Sequence, residues 1–264
     1  MRTLSILLAF VLGTASLVSC GITQGRNASS LSAEQVEERD VAPLSNIRVG
    51  GAIKARVYYS QNSRVVIRSN SPERMRGLRI DSRGKTLALS EQHSMRDTGR
   101  SYLVVEVYTD RLEELRAEQA SSIELLDSFE SRSLSILGSD GAQIVLDRLA
   151  ELNQLSLKLR GGSVLEANVP LRAKRLEVEG VGGTILRLRG NAERLALELS
   201  GASTLEGSRL QADKADIKLE GSALAKVEVS SALSYKLSGA SRLQLSGSPR
   251  SIKGKVSGSA RILQ

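Results

Sequence analysis

From Ile47 onward, apolar and polar residues alternate in short bursts. Ile47-Arg48-Val49, Ile53-Lys54-Ala55-Arg56-Val57 and Val65-Val66-Ile67-Arg68 open the series. Leu78-Arg79-Ile80, Thr86-Leu87-Ala88-Leu89 and Leu103-Val104-Val105-Glu106-Val107-Tyr108 continue it, separated by clusters such as Asn70-Ser71-Pro72 and Ser82-Arg83-Gly84. A period of two, interrupted by turn formers, predicts strands joined by turns. The stretch Leu112–Glu118 has helix-forming composition but also fits the repeat that follows, and it reads as strand and turn.

The second half repeats itself. Leu157-Lys158-Leu159-Arg160-Gly161-Gly162-Ser163 returns as Leu197-Glu198-Leu199-Ser200-Gly201-Ala202-Ser203. It returns again as Ile217-Lys218-Leu219-Glu220-Gly221-Ser222-Ala223, as Tyr235-Lys236-Leu237-Ser238-Gly239-Ala240-Ser241, and with a weaker first position as Gly254-Lys255-Val256-Ser257-Gly258-Ser259-Ala260. Gly201, Gly221, Gly239 and Gly258 are spaced by 20, 18 and 19 residues, and Gly161 lies 40 before Gly201. The copy between them is Glu177-Val178-Glu179-Gly180-Val181-Gly182-Gly183, and Gly141 lies another 20 upstream of Gly161. Apolar positions keep step, two before the glycine (Leu159, Leu199, Leu219, Leu237, Val256) and four after it (Leu165, Leu205, Ala225, Leu243, Ile262).

Each repeat therefore holds a strand, a glycine corner and a second short strand. The expected fold is all-β, a parallel β-helix (β-solenoid) with coils of roughly 20 residues. Successive coils would stack at about 4.8 Å, so that equivalent residues form ladders. Gly161, Gly201, Gly221, Gly239 and Gly258 are the expected structural turns, at corners that need a positive φ or close backbone approach. A leucine-rich repeat would carry a fixed Asn or Cys in each copy, and none is in register. An antiparallel sandwich stays open, although it gives no reason for the regular glycine spacing.

The N-terminus follows a different pattern. Met1-Arg2-Thr3 precedes an apolar run, Leu4 to Val18, that ends at Leu17-Val18-Ser19-Cys20. This layout marks a secretory signal, and the run is short for a membrane-spanning helix, which needs about 20 apolar residues. Leu17-Val18-Ser19-Cys20 resembles the bacterial lipobox, which implies that Cys20, the only cysteine, is lipidated and tethers the chain to a membrane. A buried core cysteine or a catalytic thiol are the rival readings. Gly21 after it, rather than Asp, points by the same resemblance to the outer membrane, with the domain facing the periplasm or the cell surface. The expected organisation is a lipoprotein signal peptide over 1–19, a lipidated cysteine and flexible polar tether over 20–40, and the solenoid over 41–264.

Composition refines this picture. Aromatic residues make up 3% and there is no Trp, so the core must be built from Leu, Ile, Val and Ala in thin layers. The net charge of +8 makes anionic glycans or lipid head groups conceivable partners. The scarcity of stacking rings argues against nucleic acid. Outward Arg160, Arg187, Arg189, Lys218 and Lys236 are candidates for a charged face toward a glycan, or for ordinary solubilising ladders.

No catalytic residues stand out, and no cofactor or metal is expected. Asp81, Asp97, Asp110, Asp127, Asp140 and Asp147 are scattered. Asp213 and Asp216 are close but read as a solvated turn beside Lys214. His93, the only histidine, lies in the polar Glu91-Gln92-His93-Ser94, and one His does not make a zinc site. Gly182-Gly183-Thr184 lacks the Lys and helix of a phosphate loop.

The segment Glu38-Arg39-Asp40-Val41-Ala42-Pro43-Leu44-Ser45-Asn46-Ile47-Arg48-Val49-Gly50-Gly51-Ala52-Ile53, with the later Ser200-Gly201-Ala202-Ser203 and Ser238-Gly239-Ala240-Ser241, resembles the auto-transporter adhesin head domain, or GIN domain, of Bacteroidota cell-envelope proteins. Arg39, Ile47, Gly50-Gly51 and Ile53 fit its opening pattern, while Leu44 stands where an aromatic is common. The resemblance covers roughly residues 38 to 264 and implies a β-helical fold and an adhesive role without catalytic residues. The expected function is a non-catalytic envelope module that binds a glycan, another polymer or an envelope protein. The alternatives are an envelope-assembly or sensory partner, then a polysaccharide-active enzyme.

Overall fold

The computed structural model describes residues 33–91 and 101–263, and of these strands account for 65% and helix for 3%. In chain order the first elements are β1 (Gln35–Asp40), β2 (Asn46–Gly50), β3 (Lys54–Tyr59), β4 (Arg64–Ser69), α1 (Pro72–Gly77), β5 (Leu78–Arg83), β6 (Thr86–Glu91) and β7 (Leu103–Thr109). Then come β8 (Glu114–Glu118), β9 (Ser122–Leu125), β10 (Ser133–Gly138), β11 (Gln143–Leu146), β12 (Leu152–Arg160), β13 (Val164–Ala167) and β14 (Leu171–Val181). The last are β15 (Ile185–Ser200), β16 (Thr204–Leu219), β17 (Leu224–Leu237), β18 (Arg242–Ser246), β19 (Ser251–Val256) and β20 (Arg261–Leu263). They form a β-solenoid of about 7 turns with coils of about 21 residues.

Alternation becomes burial through stacking. Leu87, Ile47, Leu115, Ile136, Leu157, Val178, Leu197 and Ile217 sit directly above one another. None is more than 2% exposed, and each fully buried side chain of this kind contributes about 1.5–3 kcal/mol. In the neighbouring inner ladder, glycine alternates with leucine. A Cβ on Gly138 would lie 2.6 Å from the Leu159 side chain, and one on Gly180 would lie 2.7 Å from that of Leu199. The small residue makes room for the branched one beneath it. This explains the irregular copy at 177–183: Gly180 takes the inner place of Leu159, and Gly182 is the corner residue.

Gly161, Gly182, Gly201, Gly221, Gly239 and Gly258 line one corner, with φ between +61° and +79°. The corner is also a hydrogen-bond ladder. Ser222 N–H donates to Gly201 O at 2.8 Å, Ala240 N–H to Gly221 O at 2.8 Å and Ser259 N–H to Gly239 O at 2.7 Å. The inward serine after the turn satisfies a carbonyl that the bend frees. The Ser163 hydroxyl donates to Arg160 O at 2.7 Å, and that of Ser203 to Ser200 O at 2.8 Å.

Each coil has a third inward stretch beyond the two strands read from the repeat. It stacks Leu171 on Gly190 on Leu210, and Ala173 on Ala192 on Ala212. Two consecutive exposed residues, such as Lys174 and Arg175, then turn the chain back to the first stretch. Asp213 falls at such a corner inside β16, where the register shifts between Ala212 and Lys214. Asp216 lies on the outer face of the same strand. The turn expected around this pair is thus a corner within a continuous strand, because a coil can bend without leaving its ladder.

The N-terminal end departs further from the repeat. β2 pairs in parallel with both β6 and β8, and β3 with both β7 and β9. The coil made by β6 and β7 therefore stacks outside the one made by β2 and β3. Antiparallel strands then cover this end: β4 on β7, β1 on β4 and β5 on β6. Such a cap blunts edges that would otherwise recruit another strand. Tyr58 and Tyr108 stack here at 5.1 Å, with the Arg64 guanidinium 4.1 Å above the Tyr108 ring. Ser71, read as part of a turn, caps α1 by accepting from the Arg74 N–H.

Gln35–Asp40, expected as part of the tether over 20–40, is instead β1. An edge strand exposed on both faces needs no apolar side, so its alternation is invisible. It is held by backbone pairing to β4 and by ion pairs such as Glu38 with Arg64 at 3.1 Å. Leu44, in the place of the usual aromatic, is buried in the core. Leu112–Glu118 enters β8, with Leu112 fully buried. Cys20, His93 and Asp97 lie outside the described residues.

One outward cross-strand contact is pH-sensitive. Burial alone would raise the Glu124 carboxyl, but hydrogen bonds from Lys54 and Arg56 on the adjacent coil overcome this and hold it below the usual carboxylate range. A depressed folded pKa stabilises above the unfolded value and is lost as pH falls through the folded one. Glu124→Gln should therefore flatten the loss of stability between about pH 5 and pH 3. Thermal melts of both proteins across that window check this, and parallel curves would contradict it.

Candidate functional site

Outward residues form ladders as strictly as inward ones, and like charges stacked one coil apart repel unless neutralised. Among the described residues, several outward cations are neutralised from a neighbouring coil. Arg48 meets Glu118 at 2.8 Å, Arg160 meets Glu179 at 3.0 Å and Arg187 meets Glu206 at 3.2 Å. Lys218 lies 2.7 Å from Glu198 and 3.2 Å from Glu220, whose hydrogen bonds raise its pKa above the usual lysine value. Three of the five cations picked from the sequence, Arg160, Arg187 and Lys218, thus belong to mixed-charge ladders. Of the other two, Arg189 stacks on Arg209, and Lys236 continues the Lys218 ladder toward Lys255 without an ion pair of its own among the described residues. The five do not converge on one face.

A different set does converge. Arg175, Arg194 and Lys214 stack in register on three successive coils. All three are exposed, and among the described residues none makes an ion pair. Gln154 precedes them in the ladder, and Ala232 and Ser251 follow. The next outward ladder runs Glu177, Ala196, Asp216, Ser234, Lys253. Between the two lies a shallow groove of about 540 Å³ along the stacking direction, with Leu195, Ala215 and Leu233 in its floor. The short Ala196, Ala232 and Ser234 keep the groove open where longer chains would fill it.

Sequence reading centred on the glycine register passed over these residues. The signal was present nonetheless: Arg175, Arg194 and Lys214 recur at 19 and 20 residues, the period of the corners. The corner glycines themselves stand on the far side of the first strand from this ladder and serve the backbone.

The carboxylates lining the groove are Glu177 and Asp216. Glu177 and Asp216 are separated by Ala196 and stand two coils, about 9.6 Å, apart. That lies at the edge of the wider carboxylate spacing used for glycosidic hydrolysis. Among the described residues no group of three His, Cys, Asp or Glu could hold a metal ion.

Three solved structures share the fold. A putative adhesin from Parabacteroides merdae ATCC 43184 superposes with a TM-score of 0.79 at 17% identity, covering 87% of this chain and 95% of the other. A putative adhesin from Parabacteroides distasonis ATCC 8503 gives 0.73 at 17%, covering 88% and 98%. A putative lipid binding protein from the same organism gives 0.73 at 16%, covering 87% and 95%. No curated protein matches the chain. The profile of the family described as "Putative auto-transporter adhesin, head GIN domain" matches residues 43–249, and the chain belongs to that family.

Proposed function

We propose that the protein is an adhesin-like lipoprotein of the cell envelope whose solenoid binds an extended partner without catalysis. Family membership supports an envelope- or surface-associated role, and the lipobox-like Leu17-Val18-Ser19-Cys20 supports anchorage to the outer membrane. The observation that carries the binding half is the open groove beside Arg175, Arg194 and Lys214, an ordered cationic surface spanning several coils. Solenoids offer extended surfaces of this kind.

Two measurements test the proposal. Cys20→Ala should move the protein from the membrane fraction to the soluble one, and an unacylated Cys20 in mature wild-type protein would refute the anchor. Full-length protein should bind acidic polysaccharide saturably, more weakly as salt rises, with no new reducing ends or unsaturated products. Turnover abolished by Asp216→Asn while the fold persists would instead make it a glycan-active enzyme.

A further inference from the structure

We propose that the ligand of this groove is a linear acidic polysaccharide, laid along the solenoid axis with one carboxylate or sulfate per coil. The inference rests on the binding-module reading above and adds the ligand's charge, repeat length and direction.

Charge gives the first argument. Arg175, Arg194 and Lys214 are repeated at the coil step, about 4.8 Å, and make no ion pair among the described residues. Their mutual repulsion is relieved when an anion sits beside each. The surface grows more positive along the axis. After Glu228 the chain carries Lys236, Arg242, Arg250, Lys253, Lys255 and Arg261 and no acidic residue. Lys236 stacks on Lys255 and Arg242 on Arg261. Lys253 closes the groove at this end, so an anionic chain is drawn along the groove rather than across it.

Spacing separates the candidate polyanions. An extended acidic peptide places side chains of one face two residues apart, about 6.8 Å. Over two coil steps it drifts out of register by about 4 Å and can satisfy only one or two of the three cations. A pyranose chain advances about one ring per coil step and keeps its charges in phase. The opposite rim argues the same way. Glu177 and Asp216 can accept hydrogen bonds from sugar hydroxyls, which a poly-glutamate chain does not offer. The short outward side chains of Ala196, Ala232 and Ser234 leave a recess that a sugar ring can enter and a membrane plane does not.

The test measures binding of full-length protein to polygalacturonate, heparin, neutral dextran, poly-glutamate and phosphatidylglycerol vesicles. Polygalacturonate or heparin should bind best. Galacturonate oligomers should gain affinity steeply up to about three rings, the number of in-register cations. Arg194→Glu should weaken binding at least tenfold and lower the salt slope by about one contact. Arg79→Glu, the same charge change on the exposed β5, should leave binding within twofold. Arg194→Gln, with unchanged melting, guards against a folding defect.

Polysaccharide binding that survives Arg194→Glu would overturn the groove assignment while leaving the binding module intact. Vesicle or poly-glutamate binding without polysaccharide binding would overturn the ligand class. Absence of binding to every probe would overturn both this inference and the reading beneath it.

Discussion

Gly190→Val is expected to destabilise the solenoid by about 3 kcal/mol or more, the sum of backbone strain and forced displacement. Gly190 has φ +122°, outside the left-handed helical region that other residues occasionally visit. A Cβ there would lie 2.1 Å from the Leu171 carbonyl oxygen and 2.4 Å from its nitrogen. These are backbone atoms of the adjacent coil, so no rotamer change relieves the clash. The effect should exceed that of Gly221→Val, where φ is +73° and the nearest backbone atom would be 3.0 Å away. Gly84→Ala is the control: its φ is +59° and nothing lies within 4 Å of the added carbon, so about 1 kcal/mol or less is expected. Denaturant unfolding followed by far-UV circular dichroism orders the three, and a Gly190→Val midpoint equal to wild type would show that the adjacent coils can separate.

Gly190 also marks where sequence reading stops. The corner from Gly161 to Gly258 and the ladders of Leu157, Leu197 and Ile217 are legible because one residue type recurs at one period and alternation holds on both sides. The third inward stretch is hidden because its corner places two polar residues together, as at Lys174-Arg175, which erases the period of two. Gly190 stands in that stretch, out of step with the other glycines, so its constraint is visible only once Leu171 is seen beneath it. At the N-terminal end, strand order depends on which partner wins a long-range pairing. Nothing local tells β6 to stack outside β2, and β1 looks like linker because both its faces are wet. The groove lies between these extremes: the period of Arg175, Arg194 and Lys214 is legible, but that they make no ion pair is seen only with the neighbouring ladders in place.

The N-terminal cap should depend on one buried ion pair. The Arg74 Nε and Nη2 each lie 2.7 Å from an oxygen of Glu91, and the two side chains are 10% and 6% exposed. The same guanidinium donates to Ala52 O at 2.6 Å and to Ser101 O at 3.2 Å. One side chain thus ties α1 to the end of β6, to the turn before β3 and to the chain entering β7. Arg74→Ala leaves the Glu91 carboxylate in a dry site without its partner, which typically costs about 3–5 kcal/mol. Arg74→Lys keeps the charge but loses the fork that reaches both oxygens and two carbonyls at once, so an intermediate loss is expected. Removing both charges tests whether the loss comes from the orphaned carboxylate or from the connections. Arg74→Met with Glu91→Leu should recover most of the stability if desolvation dominates, since apolar replacements of buried pairs are often neutral. If the double variant is as unstable as Arg74→Ala, the hydrogen bonds to Ala52 and Ser101 are what hold the cap. A full urea double-mutant cycle separates the two, and an Arg74→Ala protein as stable as wild type would remove the pair from any role in closing this end.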